Sequence, residues 1–279
     1  MVRLDEIEIA PSMPPDFKTH LNYVTYISNL SKDLEVSLNF NVSSKASFSK
    51  SALSKKIRLV ELIKESIDEE YNKAKKEKDF AKVCSMWIPV KSYYLIFNMI
   101  LLICVLSNND KSNLDYPHAK AISNFRRLIK EKKVSFNKIN FNIVLSCKDA
   151  ISFVSKAGDT LRDQVDDEKR VKSLLKKLCK YKFDDFCRYS GLRVFRDKAS
   201  KLKKEGFFNN SEISLFEFFY WYRIKTNYRD LSFLDKEIYN GDIVKFYDGY
   251  YSLTIDFYHA LKKLVNSMAK QRIGEEILK

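Results

Sequence analysis

Two hydrophobic periods divide the chain. Leu34, Val36, Leu38, Phe40 and Val42 alternate with Glu35, Ser37, Asn39 and Asn41, and a period of two puts the apolar set on one face of a strand. Residues 22–30, reached through Ser31-Lys32-Asp33, are the expected hairpin partner, although their alternation is weaker. The Ser- and Lys-rich stretch Ser43–Ser54 reads as a linker or helix lead-in. Residues 1–56 are therefore expected to be an N-terminal extension holding a β-hairpin.

From Ile57 the period becomes helical. Ile57, Val60, Ile63, Ile67, Tyr71 and Ala74 form one stripe, broken by Lys75-Lys76-Glu77-Lys78-Asp79. The next segment, about 80–106, carries Val90, Tyr93, Tyr94, Phe97, Ile100, Leu101 and Cys104 on one face. Ile96, Met99 and Ile103 lie on the other. A helix that is apolar all round belongs at the centre of a bundle. The apolar part Tyr93–Leu106 is only 14 residues, Asn98 included, against about 20 for a membrane span, and Lys91 sits just before it. No membrane span is expected.

Ser107–Pro117 reads as a polar loop and 118–132 as a shorter helix. Residues 136–206 have a separate, basic and helical character, with two or three helices. Ser214-x-x-Glu217 before an aromatic run has the form of a capping box, opening a helix over 214–227. Asp242 follows Asn240-Gly241 as an N-cap. Val244, Tyr247, Tyr251, Ile255, Tyr258, Leu261, Val265 and Met268 then mark a last helix over 242–270. The fold class is mainly α with a small β element, and low Gly (6) and Pro (5) counts agree with it.

Charge changes the picture. Lys+Arg total 50 against 36 Asp+Glu, a net +14, which favours a polyanionic partner. Lys169–Lys204 holds fourteen basic residues against Asp184, Asp185 and Asp197, a local +11. Val171, Leu174, Leu175 and Leu178 anchor one face of it. The candidate nucleic-acid contacts are Lys172, Lys176, Lys177, Lys180, Tyr181, Arg188, Tyr189 and Arg193. Lysine and arginine hold phosphates, and aromatic rings stack unpaired bases. The competing reading is a solvated helix whose aromatic seam faces inward.

Five cysteines, an odd number with no C-x-x-C pair, support neither a disulfide framework nor a zinc ribbon. They fit a reducing cytoplasm. The opening Met1–Glu6 has no apolar run and is not a secretory signal. No spacing suggests a metal site, no Walker or G-x-G-x-x-G loop is present, and no cofactor is expected.

Three segments, in order, carry a resemblance. Lys91-Ser92-Tyr93-Tyr94-Leu95-Ile96-Phe97-Asn98 resembles the second-helix signature of the HEPN superfamily. Asp115-Tyr116-Pro117-His118 leading to Phe125 resembles its next segment, and Tyr222–Asp230 resembles its Arg-x-x-Ala-Asp-Tyr segment. The likeness covers about 57–133 and 214–273. It implies an up-and-down four-helix bundle over 57–279, often dimeric, with 136–206 inserted between the third and fourth core helices. Many such domains are metal-independent ribonucleases of prokaryotic toxin–antitoxin or antiviral defence systems; others are inactive interaction modules.

The active members carry an Arg-x4-6-His motif, in which His moves a proton of the ribose or leaving group and Arg stabilises phosphorane charge. None of His20, His118 or His259 follows an Arg at that spacing here, and Asn98 stands where the family usually has His. The candidate catalytic residues are therefore Arg223, Arg229 and His118. For Arg223 and Asp230 the alternative is a pair that caps its helix; for His118 it is a cap or surface contact. The leading expectation is an RNA- or other nucleic-acid-interacting HEPN-like protein, either an atypical ribonuclease or a non-catalytic module with a cognate protein partner. A DNA-binding regulator is a third class.

Overall fold

The computed structural model describes residues 17–42, 50–107, 117–152, 167–192, 197–228 and 240–278. It is mainly helical. At its centre lies α3 (Lys78–Ser107), in which every residue from Leu95 to Leu106 is buried. Fully burying each large aliphatic chain contributes about 1.5–3 kcal/mol, so this run anchors the domain. It is long and apolar enough to cross a membrane, but 78% of its most apolar window is buried inside the fold. Lys91 avoids burial of its charge by reaching out from α3. It donates to Ser66 Oγ (3.1 Å) and to the Glu70 carboxylate, both on α2 (Lys50–Ala74).

Three further helices pack against α3: α4 (His118–Lys130), α8 (Phe218–Tyr228) and the long α9 (Asn240–Ile273). The last turn of α9 also closes the end of α3, because Arg272 donates to the carbonyls of Val105 and Leu106 (2.7 Å to the latter). A cation that satisfies terminal carbonyls also opposes the negative end of the helix dipole. Tyr93, Phe97 and Phe218 are buried in one continuous core with α9, and Tyr251 packs partly buried against it. The predicted central helix is therefore inside, and its neighbours are those expected.

The N-terminal hairpin is not formed. Residues 22–30 belong to α1 (Phe17–Ser31), which packs on α9. The reason lies in the spacing: His20, Tyr23, Val24, Ile27 and Ser31 are all buried, and steps of three and four make one helical stripe. The α1–α9 approach is close, since a Cβ on Gly249 would lie 3.2 Å from Val24 Cγ1. The alternating stretch does form a strand, β1 (Val36–Leu38), but it pairs antiparallel with β2 (Val134–Phe136) in the register Val36↔Phe136 and Leu38↔Val134. Asn39 and Asn137 bind the main chain of the opposite segment and close both ends. The expected linker is also displaced: residues 50–54 already belong to α2, and 43–49 lie outside the described residues.

The segment expected as an insertion is continuous with the core. It holds a 3-10 turn (Ile139–Asn142), β3 (Val144–Ser146), α5 (Cys147–Ser152), α6 (Asp167–Tyr189) and α7 (Lys198–Asn210). Strand β3 pairs with β4 (Glu212–Ser214), Leu145 opposite Ile213. Val171, Leu174, Leu175 and Leu178 of α6 are fully buried in the same cluster as α3.

Candidate functional site

The aromatic run after β4 begins as its sequence suggests. Ser214 N–H and Oγ both bind Glu217 Oε1 (3.2 Å) at the expected capping box, across a 3-10 turn (Leu215–Glu217). Glu217 is buried and answered by cations. Arg126 Nη1 of α4 donates to it at 2.5 Å, and Lys182 Nζ of α6 lies 3.8 Å away. Arg126 and Lys182 also donate to the Glu212 carbonyl. This network clamps the start of α8 between α4 and α6. It fixes the face of α8 that presents Tyr220 and Arg223, three residues apart and hence neighbours on one side of the helix.

On that face Arg223 meets α3. Its guanidinium carbon lies 4.6 Å from the Tyr93 ring centre, 5.5 Å from Tyr220 and 5.7 Å from Tyr94. Its Nη1 donates to Tyr94 Oη at 3.3 Å. A planar cation over several ring faces is attracted by their quadrupoles and held in one orientation.

His118, the first residue of α4, completes the cluster. Its ring stacks on Phe97 at 4.1 Å and 2°, and its Nδ1 is hydrogen-bonded to Tyr93 Oη. Burial holds the Tyr93 hydroxyl well above the usual tyrosine range. The phenol therefore keeps its proton, and it shares one hydrogen bond with Nδ1 of neutral His118, whose direction follows the ring tautomer. Burial, and next the charge of Arg223, push the His118 pKa below its usual value.

The structure thus brings His118 and Arg223 into one cluster. The residues that join them are Tyr93 and Tyr94, which the sequence marks as one helix face and as part of the HEPN-like segment, and Tyr220, which sequence reasoning did not single out. The Tyr220/Arg223 spacing was the signal for one of these. His20 lies elsewhere, buried with Nδ1 3.0 Å from Tyr222 Oη. His259 is exposed at the rim of a cleft of about 960 Å³ between α2, α9 and residues 273–277. That cleft mixes Arg58, Lys64 and Lys262 with Glu61, Glu65, Asp68, Glu275 and Glu276, a poor match for a polyanion. The space enclosed beneath the cluster, between Tyr93, Phe97 and Tyr220, is about 10 Å³, so a ligand would approach from the outer side. Among the described residues no three His, Cys, Asp or Glu side chains gather as a metal site. The five cysteines are free thiols. Arg229 and Asp230 lie outside the described residues.

The basic helix α6 divides its candidates. Lys180, Arg188 and Tyr189 are exposed, Tyr189 at 85%. Lys176 is half-buried. Lys172 is 2.6 Å from Glu168. Lys177 is half-buried over the Tyr181 ring (5.3 Å), and burial lowers its pKa. Tyr181, Phe183 and Phe186 pack against the core, the two phenylalanines meeting Phe207 and Phe208 of α7. The aromatic seam therefore faces inward, and among the candidates Tyr189 is the ring left to solvent. Arg193 lies outside the described residues. Helix α6 packs on α8 and on the 3-10 turn before it, and burial, then the Asp185 carboxylate, raises the Tyr220 pKa, so the C-terminal half of α6 runs beside the cluster.

Comparison with protein-family models, curated protein sequences and solved structures finds no match to this chain.

Proposed function

We propose that the chain is a HEPN-like nucleic-acid-interacting protein, with RNA as substrate, of a prokaryotic defence or toxin–antitoxin system, and that the Arg223–His118 cluster is its phosphate-contacting centre. The observation that carries this reading is the meeting of an arginine and a neutral histidine on an aromatic wall, beside the exposed basic end of α6. Arg223 supplies a fixed donor fork suited to a phosphodiester. His118 supplies an imidazole whose protonation responds to charge. A phosphate on Arg223 offsets one of the two causes that depress the His118 pKa, so binding would itself raise that pKa and prime proton transfer.

Cleavage through this pair needs no divalent ion, because the cation and the proton carrier are both side chains. The test is binding and cleavage of single-stranded RNA in excess chelator by the parent chain, Arg223→Ala, Arg223→Lys and His118→Asn. Loss of cleavage in all three folded variants supports an atypical ribonuclease. Binding without cleavage by the parent supports the non-catalytic reading, which is favoured by one observation: Arg223 is already engaged by three tyrosine rings. Absence of RNA binding by the parent overturns the proposal.

A further inference from the structure

Helix α3 carries a line of rings that the Arg223–His118 cluster uses only at one end. Phe80, Trp87 and Tyr94 are spaced by seven residues, two helical turns, and so lie along one face. Val83, four residues before Trp87, shares that face. Val83, Trp87 and Tyr94 are 51%, 52% and 39% exposed, and Phe80 is half-buried. At 1.5 Å per residue, successive rings fall about 10 Å apart along the axis. Both ends of the line meet a cation. The Arg223 guanidinium lies 5.7 Å from the Tyr94 ring centre, and Lys73 Nζ lies 4.3 Å from that of Phe80. The middle ring, Trp87, is the most exposed of the three. Lys91, one turn beyond it, is drawn onto α2 by Ser66 and Glu70.

Away from the cluster the line ends at a basic turn. Residues 73–82 hold five lysines against Glu77 and Asp79, a net +3. Lys73, Lys75, Lys76 and Lys78 are all exposed. The face therefore runs from cation through three rings to cation, over about 20 Å of helix. A single-stranded nucleic acid fits that order. Its phosphates are held by cations at intervals, and its unpaired bases find flat faces between them. A duplex fits it poorly, because its bases are already stacked on each other. An apolar partner surface would have to strip water from the cations at both ends, which costs free energy unless each is paired.

We infer that this face of α3 is a track for a single strand of RNA leaving the Arg223–His118 cluster, with Trp87 as the platform for one of its bases and the lysines of the α2–α3 turn as its outer phosphate contacts. The inference rests on the RNA reading of that cluster and adds to it a second contact surface, separate from α6. Stacking on an exposed ring is indifferent to which base is stacked, so the track contributes affinity and not sequence preference. It also contributes length dependence. Trp87 lies about 10 Å beyond Tyr94 along α3, and an oligonucleotide that fills only the cluster would not reach it.

The chain has two tryptophans, Trp87 and Trp221, and Trp221 is only 5% exposed, so fluorescence reads the platform directly. Single-stranded RNA added to the full chain in excess chelator should quench the tryptophan emission of the parent. Trp87→Phe should bind nearly as well but lose the quench, since a phenyl ring still stacks. Trp87→Ala should weaken binding by about tenfold in anisotropy titrations. Lys76→Glu/Lys78→Glu should weaken it too, with a shallower slope of log K against log salt. Circular dichroism shows that each variant keeps its helix content. Emission unmoved by RNA overturns the track, as does a quench that persists in Trp87→Phe and therefore belongs to Trp221. Trp87→Ala binding like the parent while Arg223→Ala does not bind also overturns it, and leaves the cluster as the centre. A parent that binds no RNA overturns this inference together with the reading beneath it.

Discussion

Replacing Glu217 is the sharpest test of how α8 is held. The carboxylate is 3% exposed, caps α8 through Ser214, and faces Arg126 at 2.5 Å and Lys182 at 3.8 Å. Glu217→Ala removes the cap acceptor, worth about 1 kcal/mol. It also leaves Arg126, itself buried, with Glu212 as its remaining anion at 3.6 Å. Breaking one side of a buried pair costs about 3–5 kcal/mol. Because Glu212 still answers Arg126, the expected loss is near the lower end, about 3 kcal/mol by the same rule. Urea unfolding followed by far-UV dichroism reads this as a fall in midpoint at constant m. Arg126→Met together with Glu217→Leu removes both charges and should recover most of the loss, since an apolar pair of similar volume often matches a buried ion pair. A Glu217→Ala variant within about 1 kcal/mol of the parent would refute the clamp, as that is the cap alone. A double variant as unstable as the sum of the singles would refute the pairing.

Four further outcomes follow from the same geometry. His118 has a depressed pKa in the folded chain, so the unfolded state binds more protons below about pH 6.5. Its contribution is therefore full above that pH and lost as the pH falls through the folded value. His118→Asn should flatten the acid side of the stability curve, measured by urea midpoints across pH. In the parent, NMR titration of the His118 ring should show its pKa rising when RNA is bound and staying put in Arg223→Ala. Arg223→Lys should weaken RNA binding nearly as much as Arg223→Ala, because an ammonium cannot reproduce the stacked planar fork; anisotropy titration checks this. Finally, Lys180→Glu/Arg188→Glu should weaken binding and make the log K against log salt slope shallower by about 0.7 per lost single-strand phosphate contact. Lys172→Glu should do less, since Lys172 is already beside Glu168.

The helical core was open to reading because its signal is local. The apolar circumference of α3, the stripe of α9 and the box at Ser214–Glu217 each lie within one element, and each appears where expected. The errors fall where the deciding contact is distant. Strand β1 was visible as an alternation, but its partner Val134–Phe136 lies about a hundred residues away, and nothing in the alternation names it. The nearer segment 22–30, which the Ser31-Lys32-Asp33 turn offers as a partner, is helical instead, because Tyr23, Val24 and Ile27 share one buried stripe. The same holds for the basic segment. Its composition marked it as separate, whereas the four buried positions of α6 join it to the central core.

Site residues were legible one at a time and not as a site. Arg223 stood out as a polar group in an aromatic helix, and His118 as a histidine at a helix start. That they meet depends on Tyr93 and Tyr94, adjacent residues on α3 that take different positions: Tyr93 is buried with its hydroxyl on His118, while Tyr94 is partly exposed with its hydroxyl under Arg223. Only the packing of α4 and α8 against the same turn of α3 turns these into one surface. The packing also separates two kinds of aromatic in the basic helix that composition treated alike. Phe183 and Phe186 are there to bury α7, and Tyr189 is left in water beside the cluster. If base stacking on α6 contributes to binding, Tyr189 is where it must act: Tyr189→Ala should weaken single-strand binding more than duplex binding, by about 1–3 kcal/mol on single strands. Tyr181→Ala should instead lower stability, because that ring packs against the core. The reverse pattern in paired anisotropy and unfolding titrations would show that the exposed end of α6 is not the face that meets RNA.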